Sequence, residues 1–369
     1  MIYPNPAVGR QGFFSRLGIL LLFLSLLVMG FCIPVHALPQ GDAITDSRTI
    51  LRRTLPIGES TLQHLDDTII GVKDDLKYKR WSTARSHLRD ASSLLARKKD
   101  QLLSELAAGN RASAADTIDH LQEDLNQMQE QLKLKSRGKA EALDYFELAL
   151  AKLESLESNW VQDFPYSIPE QYEQLPRLLG RAQVEMKTTA GRMVMTLDGY
   201  SAPITAGNFA DLVQKGFYDD LPIDRVETFY VIQAGDPPGD ADGYMDPETG
   251  KKRTIPLEIR VQGETKPYYG DTLANLGLWD QEPALPFSAA GTVAMARYPD
   301  DPNSASSQFF IFIAEPDLTP AGLNLMDGRF AAFGYITDGL EVMYDIKPED
   351  RILSARLISG QDNLILPTA

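Results

Sequence analysis

In the first half of the chain, apolar residues return at alternating steps of three and four. Ile118, Leu121, Leu125, Met128 and Leu132 form one such stripe. Leu143, Phe146, Leu150, Leu153 and Trp160 form another beyond the break at Ser136-Arg137-Gly138. A third runs through Leu88, Leu95, Leu102 and Leu106 to a stop at Gly109-Asn110, and a fourth through Leu65, Ile69 and Leu76 behind the capping pair Ser60 and Gln63. A period near 3.6 places each set on one face of a helix. Four such helices with short connections predict an antiparallel bundle over residues 38–163. A dimeric coiled coil would use the same heptads, but Gly, Asn and Pro interrupt the pattern too often for one long rod.

The pattern then changes. Pro165, Pro169 and Pro176 fall within a dozen residues, which no continuous helix tolerates, so residues 164–180 are expected to be a linker. Beyond it the alternation has period two. Val184-Glu185-Met186-Lys187 and Arg192-Met193-Val194-Met195-Thr196-Leu197, bounded by Ala190-Gly191 and Asp198-Gly199, predict a strand hairpin opening a domain over 181–369.

Charge narrows the function classes. The 369 residues carry a formal net charge of −15. Phosphate backbones and anionic lipid both ask for a basic face, so neither is an expected partner. The acidity is concentrated beyond the linker, where residues 181–369 hold 15 basic and 28 acidic side chains. At the amino terminus Arg10 and Arg16 precede an uncharged run from Leu17 to Ile33, and Val35-His36-Ala37 supplies small residues around a cleavage point. This is the layout of a secretory signal peptide over 1–37, and it predicts export and no membrane span in the mature chain. The 17 uncharged residues also reach the lower limit of a membrane helix, so an uncleaved anchor is the alternative. A lipoprotein reading fails because Phe31 precedes Cys32.

Elimination comes next. Cys32 is the only cysteine, and the histidines are His36, His64, His87 and His120. Residues 181–369 therefore contain neither residue type, which excludes a Ser-His-Asp triad, a thiol nucleophile and a zinc site there. Asp236, Asp240, Asp242 and Asp246 could attract calcium, but the EF-hand spacing and its terminal Glu are missing, so a solvated acidic loop is expected. No metal and no cofactor are predicted.

Three segments carry specific chemistry. Gly191-Arg192-Met193-Val194-Met195 leads to Asn208-Phe209. Then come Asp224-Arg225-Val226-Glu227-Thr228-Phe229-Tyr230-Val231-Ile232-Gln233-Ala234-Gly235-Asp236-Pro237, and Gly291-Thr292-Val293-Ala294-Met295-Ala296-Arg297 followed by Ser307-Gln308-Phe309-Phe310-Ile311, Met326-Asp327-Gly328-Arg329 and Phe333-Gly334. In order and approximate spacing these resemble the cyclophilin family, whose members carry G-R-I-V-M-E-L, H-R-V-I-P-G-F-M-I-Q-G-G-D-P, G-x-x-S-M-A-N, S-Q-F-F-I and L-D-G-K-H-x-x-F-G. The resemblance spans about Gly191 to Ser359. It implies a multidomain chain, with the all-α antiparallel helical bundle followed by a cyclophilin-like eight-stranded antiparallel β-barrel with flanking helices, one of them near Asn208–Lys215.

The resemblance also implies prolyl cis-trans isomerisation. Amide resonance sets a rotation barrier of about 18–20 kcal/mol, and lowering it needs no nucleophile. It needs a pocket for the ring and a donor aimed at the proline nitrogen, which weakens resonance most in the twisted transition state. Arg225 falls on the family's catalytic arginine; read without the resemblance, it would be a surface ion pair with Asp224 or Glu227. Gln233 and Gln308 fall on polar substrate-binding positions, Tyr230, Val231, Phe310 and Met326 on the proline pocket, and Ala296 and Arg297 on the pair whose backbone meets the substrate. Leu325 stands for the rim tryptophan and Phe330 for the rim histidine. Tyr230, Val231, Arg297, Leu325 and Phe330 depart from the family residues, and an insertion runs from about Gly239 to Pro286. Peptide binding is thus expected with either useful turnover or, alternatively, a catalytically weak proline-binding scaffold. The helical bundle, signal and acidic inserted barrel resemble the multidomain cyclophilins of the thylakoid lumen. That implies a lumenal or periplasmic location and proline-containing clients among photosystem II subunits.

Overall fold

In the computed structural model the described residues are 44–367, apart from 58–60, 107, 162–163, 248 and 315–323. The leader over 1–37 and Ser60 of the capping pair lie outside them. Residues Ala43–Ala369 form one compact unit.

The four expected helices are α2 (Thr61–Lys77), α3 (Trp81–Glu105), α4 (Arg111–Lys133) and α5 (Lys139–Trp160). Each packs on the next and α2 closes on α5. With connections this short, neighbours must run antiparallel. The stripes are the core: Leu65, Ile69, Leu76, Leu88, Leu95, Ile118, Leu121, Leu125, Met128 and Phe146 are all buried in one cluster. Among the described residues no helix is long and apolar enough to cross a membrane.

A shorter helix, α1 (Ser47–Arg53), precedes the bundle and was not among the four expected. Asp46 caps it, accepting from the Thr49 amide at 2.9 Å. One face of α1 belongs to the β-domain. Ile50 and Leu51 are buried with Leu285, Phe287 and Phe312, and Arg48 Nη2 donates to the Thr337 carbonyl at 3.0 Å. The carboxy-terminal carbonyls, which need donors and favour cations, receive them from barrel arginines. Arg181 donates to the Leu51 carbonyl and Arg260 to that of Thr54 at 2.8 Å. The other face belongs to the bundle, where Arg52 Nε donates to Asp66 at 2.6 Å and Arg53 pairs with Asp67 at 2.7 Å. Seven residues on their own would not hold a helix in water; α1 exists because one apolar cluster of the β-domain and several charges on both sides grip it.

The β-domain is built on β2 (Arg181–Thr188), β3 (Arg192–Asp198), β4 (Ile223–Glu227) and β5 (Val231–Ala234), with β8 (Thr292–Met295), β9 (Phe309–Phe312), β10 (Ala332–Asp338) and β11 (Ile352–Ser359). These form an eight-stranded antiparallel sheet in the order β11-β2-β3-β10-β8-β9-β5-β4. The predicted hairpin is β2–β3, with Met186 opposite Met193. The sheet curls until its first and last strands meet. Pro222 bridges Arg351, the Ile223 amide donates to Asp350 at 3.0 Å, and that of Ile352 donates to Leu221 at 2.8 Å. Helix α6 (Pro203–Gln214) fills one mouth and begins earlier than the expected Asn208. Its free amides are met by a carboxylate distant in sequence: Glu258 accepts from the amides of Ile204 at 3.0 Å and Thr205 at 2.9 Å.

Short pairs complete the domain, β6 (Glu258–Ile259) with β7 (Tyr268–Tyr269) and β1 (Arg177–Leu178) with β12 (Leu364–Ile365). The proline-rich stretch expected as a linker is laid against the barrel. Leu178 is buried in its core, and Ile168, Tyr172 and Leu175 pack on it. The prolines end the helices, but the apolar residues between them keep the segment docked.

Several buried carboxyls make stability pH-dependent. Burial, with Asp66 nearby, pushes Glu157 up to about 8. Burial pushes Glu258 up to about 7. The fold holds these protons more tightly than the unfolded chain does, so stability increases as pH falls from about 8 towards 5. Carboxyls held low by partners, such as Asp219 beside Arg356, lose their contribution only below this window. Urea unfolding at pH 5 is expected to give a free energy about 6 kcal/mol above that at pH 8, since each such group contributes about 1.4 kcal/mol for each pH unit between its folded and unfolded values and Glu157 and Glu258 both titrate in this window. A flat or opposite profile would overturn the assignment.

Candidate active site

Strand register builds the site. Arg225 on β4 is opposite Gln233 on β5, Gln233 is opposite Phe310 on β9, and Phe310 is opposite Ala294 on β8. Paired residues share a sheet face, so these side chains form one row across four strands. Period two sends their neighbours the other way. Ile232, Phe309, Ile311 and Val293 fill the barrel interior, while Val231, Phe310, Phe312 and Ala294 form a second cluster on the outer face. Phe309-Phe310-Ile311-Phe312 is apolar throughout because both faces of that strand are buried.

The outer face holds a cavity of about 470 Å³. Its floor is Val231, Phe310 and Met326, all buried. Phe330 meets Phe310 edge-on at 5.3 Å, and Phe287 stacks beneath Phe310 at 6.0 Å. Tyr230 stands against Phe312 at 6.2 Å with its ring partly exposed. Arg225, Gln233, Ala296, Arg297 and Gln308 complete the expected set. Leu325 does not join them. It is 80% exposed and outside the lining, a consequence of the turn that points Met326 inwards.

The polar wall has a fixed direction. Gln308 Nε2 donates to Asp236 and Asp242, both at 2.9 Å. A carboxylate only accepts, so the Gln308 carbonyl is left to accept from Gln233 Nε2, at 2.8 Å. The Asp236 amide in turn donates to Asp224 at 3.0 Å, and burial pushes Asp224 up to about 6. Asp236, Asp242 and Asp246 of the acidic loop thus spend carboxylate oxygens on protein donors. Among the described residues no three His, Cys, Asp or Glu side chains converge as a metal site. Arg297 Nε donates to the Arg329 carbonyl at 3.0 Å, its guanidinium lies 5.1 Å from the Phe330 ring centre, and burial lowers its pKa. Ala296 gives its N–H to the Gln308 carbonyl at 2.9 Å, so that amide is not open to a guest peptide. Arg225 is half exposed and its guanidinium is paired with Glu227.

The sequence reading missed several lining residues. Asp242, Gly243 and Lys252 come from the insertion, and Tyr298, Ser304 and Ser306 from the loop after β8. Lys252 sits 5.2 Å over the Tyr298 ring and 3.8 Å from Asp242. The hydroxyls are structural: Ser304 Oγ accepts from the Tyr298 amide at 2.8 Å and Ser306 Oγ from that of Tyr244 at 2.9 Å. With no base beside them they are not nucleophiles. The site can hold an apolar ring on an aromatic floor and present an arginine to a nearby amide. None of its lining comes from the helices.

Residues 183–358 match the family described as cyclophilin type peptidyl-prolyl cis-trans isomerase. Residues 46–161 match the description "Peptidyl-prolyl cis-trans isomerase CYP38-like, PsbQ-like domain". A Synechocystis protein named as a thylakoid lumen peptidyl-prolyl cis-trans isomerase is 43% identical over 371 residues, covering 98% of this chain and 97% of its own length. The chain is a cyclophilin-type peptidyl-prolyl isomerase. The chloroplastic isomerase CYP38 of Arabidopsis thaliana is 38% identical over 346 residues, 90% of this cyclophilin and 78% of its own length. Among solved structures, a Cryptosporidium parvum cyclophilin type isomerase crystallised in the presence of the dipeptide Ala-Pro aligns over 48% of this chain and 99% of its own, at 21% identity and a TM-score of 0.33. This cyclophilin belongs with the lumenal members of the family that carry a helical domain before the barrel.

Proposed function

We propose that the outer-face cavity is the isomerase site, with Arg225 as the catalytic donor and Phe310, Met326, Val231, Tyr230 and Phe330 holding the proline ring. One observation carries the reading: strand register alone sets Arg225, Gln233 and Phe310 in a row above an aromatic floor. Gln233 and Gln308 bind the client's backbone, and Arg297 closes the wall. The clients are extended, proline-containing segments of exported proteins. The finer proposal, assistance to photosystem II assembly, is supported by the likeness to lumenal cyclophilins and by the PsbQ-like description of the helical domain.

A second reading is favoured by the Arg225–Glu227 pair. A guanidinium engaged by a neighbouring carboxylate is a weaker donor, and the barrel would then grip clients with little turnover. One experiment covers both readings: affinity for a proline peptide and protease-coupled turnover, measured on the full chain and on Phe310→Ala. Emptying the floor is expected to weaken affinity about 10- to 30-fold. Unchanged affinity would move the site elsewhere. Peptides copying proline-containing lumenal loops of photosystem II core subunits, compared with scrambled versions, test the finer proposal, which fails if both bind alike.

A further inference from the structure

The hairpin joining β4 to β5 turns through Thr228 and Phe229, with the Tyr230 amide donating to the Glu227 carbonyl at 2.9 Å. Phe229 has φ +61°, in the left-handed region. A bulky side chain there is costly, because Cβ crowds the following carbonyl. A residue that accepts such strain is ordinarily compensated by packing, yet Phe229 is 67% exposed. An aromatic ring in water in an unfavourable backbone conformation does nothing for this fold that a glycine or asparagine would not do better. Its neighbour Tyr230 lines the cavity and is itself 44% exposed. The turn therefore holds two adjacent exposed aromatic residues, Tyr230 in the cavity wall and Phe229 next to it in the chain but outside the lining.

We propose that Phe229 is an additional client-contact residue that selects a large apolar side chain next to the bound proline. The proposal rests on the outer-face cavity being the proline site. Residues in sparsely populated backbone regions cluster at active sites and ligand clamps, and an aromatic pair gives the apolar contact a flexible side chain would give only at higher entropic cost. Phe229 lies beyond the cavity lining, so its contact is the same whether the amide is planar or twisted. It strengthens binding without assisting rotation.

The test uses the full chain with Phe229→Asn, Phe229→Gly and Phe229→Tyr, and the tetrapeptides Ala-Ala-Pro-Phe, Phe-Ala-Pro-Ala and Ala-Ala-Pro-Ala. Asparagine tolerates the left-handed region, so Phe229→Asn should not lower Tm and should raise it by roughly 1–3 °C. KM for at least one phenylalanine-containing peptide should rise roughly 3- to 10-fold with kcat unchanged, and KM for Ala-Ala-Pro-Ala should stay put. Phe229→Gly should lose the same preference, and Phe229→Tyr should keep it. The inference is overturned if the Asn variant retains the wild-type preference, if wild type has none, or if Tm falls by several degrees, which would make the ring a packing residue. Phe310→Ala separates the two levels: if it too leaves binding intact, the site assignment fails as a whole; if it weakens binding about 10- to 30-fold while Phe229 variants change nothing, only this inference fails.

Discussion

Arg225→Ala is expected to lower kcat/KM for prolyl isomerisation about 100- to 1000-fold while weakening peptide binding far less. The loss corresponds to about 2.7–4 kcal/mol, the usual effect of removing a preorganised donor from a transition state. The side chain is half exposed, so little stability is at stake and the variant should fold. Arg225→Lys should recover little, because an ammonium cannot reproduce the guanidinium fork. Glu227 supplies the internal control. It engages the guanidinium in the free protein, and an exposed pair of this kind is worth about 0.2–1 kcal/mol. Glu227→Gln should therefore raise kcat/KM about 1.5- to 5-fold, as the arginine no longer has to leave a partner before meeting the amide. If Arg225→Ala leaves a measurable wild-type rate intact, Arg225 is not the catalytic donor. If wild type has no rate to lose while Phe310→Ala still weakens binding, the scaffold reading stands.

The second large effect is expected far from the cavity. Arg52 and Asp66 have side chains 2% and 5% exposed, and burial raises the Asp66 pKa. Arg52 Nη2 also donates to Thr49 Oγ1 at 3.1 Å. Arg52→Ala leaves the buried Asp66 without its cation, and breaking a buried pair from one side costs about 3–5 kcal/mol. The urea midpoint should fall accordingly. The paired replacement Arg52→Met with Asp66→Leu removes both charges and fills the space, and should restore most of the loss. This contrast distinguishes an uncompensated charge from simple loss of packing. Since α1 presents Ile50 and Leu51 to the cluster that also contains Phe287 and Phe310, Arg52→Ala should also weaken proline-peptide affinity, though less than Phe310→Ala does. An unchanged midpoint would show that α1 does not tie bundle to barrel.

By itself the sequence determined the features that depend on local periodicity. The stripes from Leu88 to Leu132 could only be helix faces, and the alternation through Val184 and Met195 could only be strands, because 3.6 and 2 are the periods at which side chains share a face. Elimination is likewise a matter of composition: a β-domain without histidine or cysteine offers no Ser-His-Asp triad and no thiol nucleophile, wherever its residues fall. Motif order carried the resemblance, and with it ten of the sixteen residues that line the cavity. Tertiary structure alone decided the rest. Helix α1 is too short to show a period and exists through distant contacts, Arg52 with Asp66 and Arg181 with the Leu51 carbonyl. Residues 164–180 carry helix-breaking prolines, which say where helices end but not whether Leu178 is buried. Lys252 and Asp242 reached the cavity from an insertion of no recognisable pattern, and Leu325 left it because a turn reversed its direction. The left-handed backbone of Phe229 has no signature in residue type, since its side chain argues against it. In each case the deciding interaction joins residues far apart along the chain, or a backbone angle imposed by the fold, and neither is written in local composition.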